Sequence, residues 1–244
     1  MALNQILVNI QEKALEDLLK NGSKLCMAKA VIDSHGEEVY NVVAYANVNA
    51  AISRNNTITY VNAYSMLGTT QTFEQGKTVL TNSTKALPIQ FEQAYSLPKR
   101  TKAFVGFSPD APWDGFAFLN SVDASVVLSL ASGPTRTYME EGTLNCPIFI
   151  SPETEKPGKI HVTPSNKVAL WFQPDLKAAT MISLSMRNVH VVDLTRFTNV
   201  VITYTDDGEW IDRFGSRSGP IDYTKVFAAS IAETTNKAAN VVAN

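Results

Sequence analysis

Residues 147–173, PIFISPETEKPGKIHVTPSNKVALWFQ, carry the pattern that decides the fold class. Three short runs rich in β-branched and aromatic residues alternate there with turn-forming triplets. The runs are 147–150, 159–163 and 167–173, and the triplets are Lys156-Pro157-Gly158 and Pro164-Ser165-Asn166. Branched and aromatic side chains favour strands because they pack well on a pleated surface, while Pro, Gly, Ser and Asn favour turns. The stretch therefore predicts three strands joined by tight turns.

The same rhythm continues through most of the chain, with turn signals at intervals of roughly eight to twelve residues. The other predicted strands are 24–33, 38–48, 57–67, 69–74, 77–81, 88–95, 102–107, 116–119, 124–131, 180–186, 189–194 and 200–204. Short strands at this spacing are typical of all-β folds, whereas doubly wound folds alternate strands with helices. The sequence therefore predicts a mainly β fold with an antiparallel β-sandwich or barrel-like body.

Two terminal segments have helical periodicity instead. In residues 3–20 the apolar side chains recur at spacings of three and four, and Asn21-Gly22 is a common helix stop. The Ala-rich stretch 223–242 predicts a C-terminal helix or tail. The resulting division is an N-terminal amphipathic helix in 1–22, a β-rich domain in 23–220 and a C-terminal helix or tail in 221–244. The first helix lacks the basic excess of membrane-surface helices, which favours packing on its own body over a partner or a membrane.

Composition limits the partners that the chain can take. It has 244 residues, of which 45% are hydrophobic and 18% charged, so it can bury a sizeable core. Lys plus Arg total 21 and Asp plus Glu total 23, for a net charge of −2, so the basic footprint of a nucleic-acid-binding protein is missing. We expect no nucleic-acid partner, no transmembrane segment, and a cytoplasmic location in preference to secretion with the signal already removed.

Sequence motifs for cofactors and catalysis are missing. The chain has no GxxxxGK[ST], GxGxxG or GxSxG motif, and Cys26 and Cys146 belong to no CxxC pair. His35, His161 and His190 lack the HxH and HxxxH spacings of local metal motifs. We therefore predict no cofactor and no metal, and name no catalytic residue. A site assembled through space around His161 or His190 and a carboxylate stays open as an alternative, because triads depend on geometry and not on sequence order.

The segment 108–115, SPDAPWDG, is the best candidate for ligand recognition. Two prolines, two aspartates and a glycine predict a loop, and loops lie at the surface. Trp113 offers a flat amphipathic ring that can stack on a sugar or rest at a membrane interface, with Asp110 and Asp114 beside it as polar partners. The alternative is a tryptophan that folds back to cover the core.

A second candidate is the acidic segment Asp206-Asp207-Gly208-Glu209. An Asp-Asp-Gly sequence directly after a strand predicts a tight turn. Paired carboxylates could also serve acid/base chemistry or bind a hard cation or another ligand, although the spacing does not match a calcium-binding loop. We therefore add Asp207 and Trp210 to the candidate ligand contacts.

These observations favour a non-catalytic protein that recognises a glycan or a lipid surface, with membrane activity as an extension of the lipid case. A structural or self-assembling β-rich protein is the first alternative, because neutral polar strands can pair at their edges to form homo-oligomers. An enzyme with a dispersed histidine and carboxylate site is the second.

Overall fold

A computed structural model describes residues 3–47, 51–81, 83–137, 140–183 and 188–212. In this part of the chain there is one helix, α1 Glu12–Lys20, and sixteen strands. The strands are β1 Leu3–Ile10, β2 Lys24–Ile32, β3 Glu38–Val39, β4 Val43–Ala46, β5 Asn55–Val61, β6 Tyr64–Thr69, β7 Leu87–Ile89, β8 Gln93–Lys99, β9 Lys102–Phe107, β10 Phe116–Asn120, β11 Ser125–Ser132, β12 Leu144–Ile150, β13 Gly158–Gln173, β14 His190–Asp193, β15 Asn199–Tyr204 and β16 Trp210–Asp212. The predicted mainly β class is confirmed.

The strands form three open sheets, and the described residues contain no closed barrel. One sheet has the order β16-β15-β1-β5 and another β12-β11-β6-β7. The largest has the path β3-β2-β13-β10-β8-β9, with β4 added beside β2 and β14 beside β13. Neighbouring strands are antiparallel except in the pairs β1–β15 and β8–β10.

All three sheets contribute to one hydrophobic core. It includes Ile6 from the first sheet, Phe118 from the largest and Leu128 from the third, each fully buried. Alternate residues of the strands point into this core, so Phe116 and Phe118 of β10 face inward while Ala117 lies on the outer face. The outer face of the largest sheet is where the candidate loop lies.

The predicted helix 3–20 is wrong over its first half, where residues Leu3–Ile10 form β1. Ile6, Val8 and Ile10 are buried at every second position, a strand pattern that overlaps with the helical spacing of the same apolar residues. β1 lies between β5 and β15 and pairs with both. Backbone pairing on both sides and β-branched side chains therefore favour the strand. Only Glu12–Lys20 is helical.

The turn predicted at Pro164-Ser165-Asn166 is also wrong, because β13 runs without interruption through Gly158–Gln173. The pairing of β13 with β2 shifts register between Pro164 and Val168, which identifies the segment as a β-bulge. Proline is tolerated at a bulge because no ladder hydrogen bond is required of it there.

Other predicted boundaries change as well. The predicted strand 57–67 is two strands, β5 and β6, which belong to different sheets. Segments 69–74 and 77–81 are mostly loop, as are the described residues of 180–186, where Thr78 and Thr180 form an isolated bridge. The predicted C-terminal helix 223–242 lies outside the described residues.

The acidic segment forms the predicted tight turn. Gly208 has φ 78° and donates its N–H to Thr205 O at 3.0 Å, and Thr205 N–H donates to Glu209 O at 2.9 Å. The turn also holds α1: Ala14 N–H donates to Asp206 Oδ1 at 3.0 Å, and Asp206 N–H donates to Gln11 Oε1 at 2.7 Å. Asp206 therefore caps a helix that lies 192 positions away in sequence.

We expect Asp206→Ala to lower the free energy of unfolding by about 1 kcal/mol, because it removes the cap and a negative charge from the start of α1. The matched control is Asp207→Ala, which removes the adjacent exposed carboxylate and should change stability by less than about 0.5 kcal/mol. Urea denaturation of both variants is the measurement. Equal effects of the two substitutions would contradict the capping role.

Candidate functional site

The loop 108–115 connects β9 to β10 and crosses the start of β8, which lies between them. Both of its ends are tied to Glu92. Ser108 N–H donates to Glu92 O at 3.0 Å, and Glu92 N–H donates to Gly115 O at 3.1 Å. Within the loop, Ala111 N–H donates to Ser108 O at 3.0 Å. The loop therefore has a fixed base and internal turn bonding.

The loop lies against the outer face of the largest sheet. A Cβ atom at Gly115 would collide with Thr163 Oγ1 and would lie 3.0 Å from Val162 O, so only glycine allows this approach to β13. Further along, Asp110 Oδ1 lies 3.0 Å from Lys159 Nζ of β13. Together these contacts hold the middle of the loop above β10 and β13.

Trp113 projects from this supported loop into solvent, and its exposed fraction is 79%. The alternative in which the indole covers the core does not fit that exposure. Asp110 and Asp114 lie on the same loop, with Asp110 exposed and Asp114 half-buried. The loop thus presents an accessible aromatic plate with carboxylates in the adjacent turn.

Two phenylalanines that the sequence reasoning did not select lie at the same end of the sheet. Phe107 directly precedes the loop, pairs with Gln93 of β8 and is 76% exposed. Phe91 is 47% exposed, and its ring centroid lies 5.4 Å from that of the buried Phe116. The position of Phe107 next to the loop could have indicated its exposure, whereas that of Phe91 depends on packing between sheets.

The structure places Trp210 and Asp207 away from this loop, in and next to β16 of the sheet with the order β16-β15-β1-β5. Trp210 is 5% exposed and stacks between Phe172, at 5.2 Å, and His190, at 5.5 Å. Its Nε1–H donates to Asn188 O at 3.1 Å. This environment favours a packing role for Trp210. Asp207 is exposed in the turn before β16.

The histidines are also dispersed. His161 is exposed on β13, whereas His190 of β14 is buried and pairs with Leu170, nine positions further along β13. At about 3.3 Å per residue, the two lie roughly 25–30 Å apart. Burial lowers the pKa of His190, and the charge of Asp212 raises it in part. The two histidines therefore do not share a site.

Both cysteines are buried. Burial raises the pKa of both Cys26 and Cys146 to about 12, so each is a protonated thiol at neutral pH and a weak nucleophile. No group of three His, Cys, Asp or Glu side chains in the described ranges is arranged to hold a metal ion.

No protein-family model, curated protein or solved structure matches the chain. No helix in the described part is long and apolar enough to cross a membrane.

Proposed function

We propose that the chain is a non-catalytic carbohydrate-binding protein in which Trp113 stacks on the apolar face of a sugar ring. The observation that carries the proposal is the 79% exposure of this indole on a loop fixed at both ends by backbone hydrogen bonds. An indole held in this way presents a flat amphipathic face on which a sugar ring can stack.

The surroundings of Trp113 suit a polyhydroxylated ligand. Carboxylate oxygens of Asp110 and Asp114 can accept hydrogen bonds from the hydroxyl groups of a sugar. The contact between Asp110 and Lys159 fixes the loop before a ligand arrives. Because less conformational entropy remains to be lost on binding, a fixed loop favours affinity even from a small contact area.

The charge of this region favours a glycan over a lipid surface. Glu92, Asp110 and Asp114 all lie on or against the loop, and Lys159, which forms an ion pair with Asp110, is a nearby cation. Anionic lipid surfaces attract basic segments and repel acidic ones. The loop therefore suits a neutral or cationic glycan better than an anionic membrane.

The experiment is a glycan array followed by calorimetric titration of the glycans that bind. We expect Trp113→Ala to weaken binding by about 10- to 100-fold and Trp113→Phe to retain part of the affinity, because the smaller ring keeps a stacking face. Leu144→Ala is the matched control, since Leu144 is also 79% exposed but begins β12 in another sheet. It should leave affinity unchanged.

Liposome sedimentation separates the glycan from the lipid. Binding to glycan-free vesicles that disappears in Trp113→Ala would contradict the glycan proposal and support a lipid surface. Failure to bind both arrays and vesicles would contradict surface recognition by this loop.

A further inference from the structure

Strand β9 lies at one edge of the largest sheet, where β7 of another sheet approaches it without forming a ladder. It is the last strand in the path β3-β2-β13-β10-β8-β9, and in the described ranges its ladder partner is β8 alone. An edge strand presents backbone N–H and C=O groups that can pair with another chain.

The pairing pattern identifies the outward backbone groups. Ser108 N–H donates to Glu92 O, so the Glu92 carbonyl faces β9, while Leu97 O accepts from Ser121 N–H and faces the β10 side of β8. Hydrogen-bonded pairs alternate along an antiparallel ladder, which directs the backbone groups of Phe104 and Gly106 toward β8. The N–H and C=O groups of the intervening residues, Ala103, Val105 and Phe107, therefore point to the open edge.

Strand β9 carries two exposed aromatic rings and two small residues, with the half-buried Val105 between them. Phe104 is 51% exposed and shares the outer face with Gly106, where an added Cβ would meet no atom within 4 Å. Phe107 is 76% exposed and shares the opposite face with Ala103. On the outer face the exposed ring and the small residue are two positions apart, and on the opposite face they are four positions apart with Val105 between them.

We propose that β9 pairs antiparallel with β9 of a second copy of this chain, about a two-fold axis at Val105. In that register the outward N–H and C=O groups of Val105 pair with those of Val105 in the second copy. The outward groups of Ala103 pair with those of Phe107 in the second copy. Phe104 then lies directly opposite Gly106 of the second copy, and Phe107 opposite Ala103. Each exposed ring covers a small residue across the new strand pair, an arrangement that stabilises glycine-containing strands.

The charges at the two ends of β9 favour the same antiparallel arrangement. Lys99, Arg100 and Lys102 form a basic end at the β8–β9 turn, while Asp110 follows the other end. The two-fold places the basic end of one copy beside the acidic end of the other, with Arg100 level with Asp110. A parallel pairing would bring the two basic ends together, which costs free energy. The interface does not use the Trp113 indole and shares only Asp110 with the proposed glycan site.

The first test is analytical ultracentrifugation over a range of concentrations. We expect a monomer–dimer equilibrium, and we expect Phe104→Ala to raise the dissociation constant by about tenfold. Leu80→Ala is the control, because Leu80 is 52% exposed but lies in a loop away from β9. A strictly monomeric chain at high concentration, or equal effects of the two substitutions, would overturn the proposal.

Cross-linking tests the register. Opposed residues in a non-hydrogen-bonded pair have Cα atoms about 4.5 Å apart, within disulfide range, while residues two positions out of register are about 8 Å apart and beyond it. A mixture of the Phe104→Cys and Gly106→Cys chains should therefore form a disulfide-linked dimer, and each variant alone should not. The native Cys26 and Cys146 are 0% and 2% exposed and do not compete. Absence of the mixed product, or efficient linking of either variant with itself, would overturn this pairing.

Discussion

The free energy of unfolding is expected to rise by about 1.5 kcal/mol between pH 7 and pH 8.5, and Lys29→Met should abolish most of that rise. Lys29 is fully buried in β2 and faces the shared core. Its Nζ donates to Ser165 O of the β13 bulge at 2.7 Å and lies 5.5 Å from the Tyr60 ring centroid. Desolvation lowers its pKa from 10.5 to about 7.

The sign of this effect follows from proton binding. Above pH 7 the folded chain releases the Lys29 proton, whereas the unfolded chain keeps it up to pH 10.5. The unfolded state therefore binds more protons, and the free energy of unfolding increases as the pH rises. The range from pH 7 to pH 8.5 lies above the titration of His190. The lowered pKa of His190 also makes the free energy of unfolding rise with pH, but near and below pH 6.5. The same range also avoids the two cysteines, whose raised pKa values remove stability above pH 9.0.

Urea denaturation at several pH values between 7 and 8.5 measures the effect. Lys77→Met is the control, because that lysine has 62% of its side chain exposed and should leave the slope unchanged. A flat profile in the unsubstituted chain, or a slope that survives in Lys29→Met, would contradict a buried lysine with a lowered pKa.

The second large effect is expected at the base of the loop, where Gly115→Ala should cost about 2 kcal/mol of stability and weaken glycan binding. The added methyl would collide with Thr163 Oγ1 and press on Val162 O, and a backbone oxygen cannot move aside as a side-chain tip can. The loop must therefore shift, and Trp113 shifts with it.

The matched control is Gly106→Ala, measured at low protein concentration. A Cβ at that position has open space around it, so the substitution should leave stability unchanged or raise it by about 0.5 kcal/mol. Equal stability and equal glycan affinity of the Gly115 and Gly106 variants would contradict the close approach of the loop to β13. Stability measured by denaturation separates a displaced loop from a misfolded chain.

Much of the strand content follows from local sequence. Strand β9 was predicted at 102–107, and β2 within one residue of its end, because turn residues bound both. The failure at Leu3–Ile10 has a physical cause: its apolar residues fit both periodicities, and the strand is selected by pairing with β5 and β15, which are distant in sequence. The bulge at Pro164 has the same origin, since only the β2 partner distinguishes a bulge from a turn.

The candidate site divides in a similar way. Loop composition predicted that Trp113, Asp110 and Asp114 lie in a loop, because prolines and glycine act locally, and the structure has a loop there. Trp210 could not be assigned by composition, since its burial arises from stacking with Phe172 of another sheet. The capping role of Asp206 depends on a contact across 192 positions, which no local pattern contains.

Fluorescence quenching of Trp113 by acrylamide tests glycan stacking most directly. The chain has three tryptophans, and Trp171 and Trp210 are only 1% and 5% exposed, so the accessible emission comes from Trp113 at 79%. With a glycan that binds on the array, we expect saturation to protect this emission from the quencher, and we expect the protected component to be missing in Trp113→Phe. Full glycan binding with Trp113 still freely quenched would contradict the proposal that its indole is the contact surface.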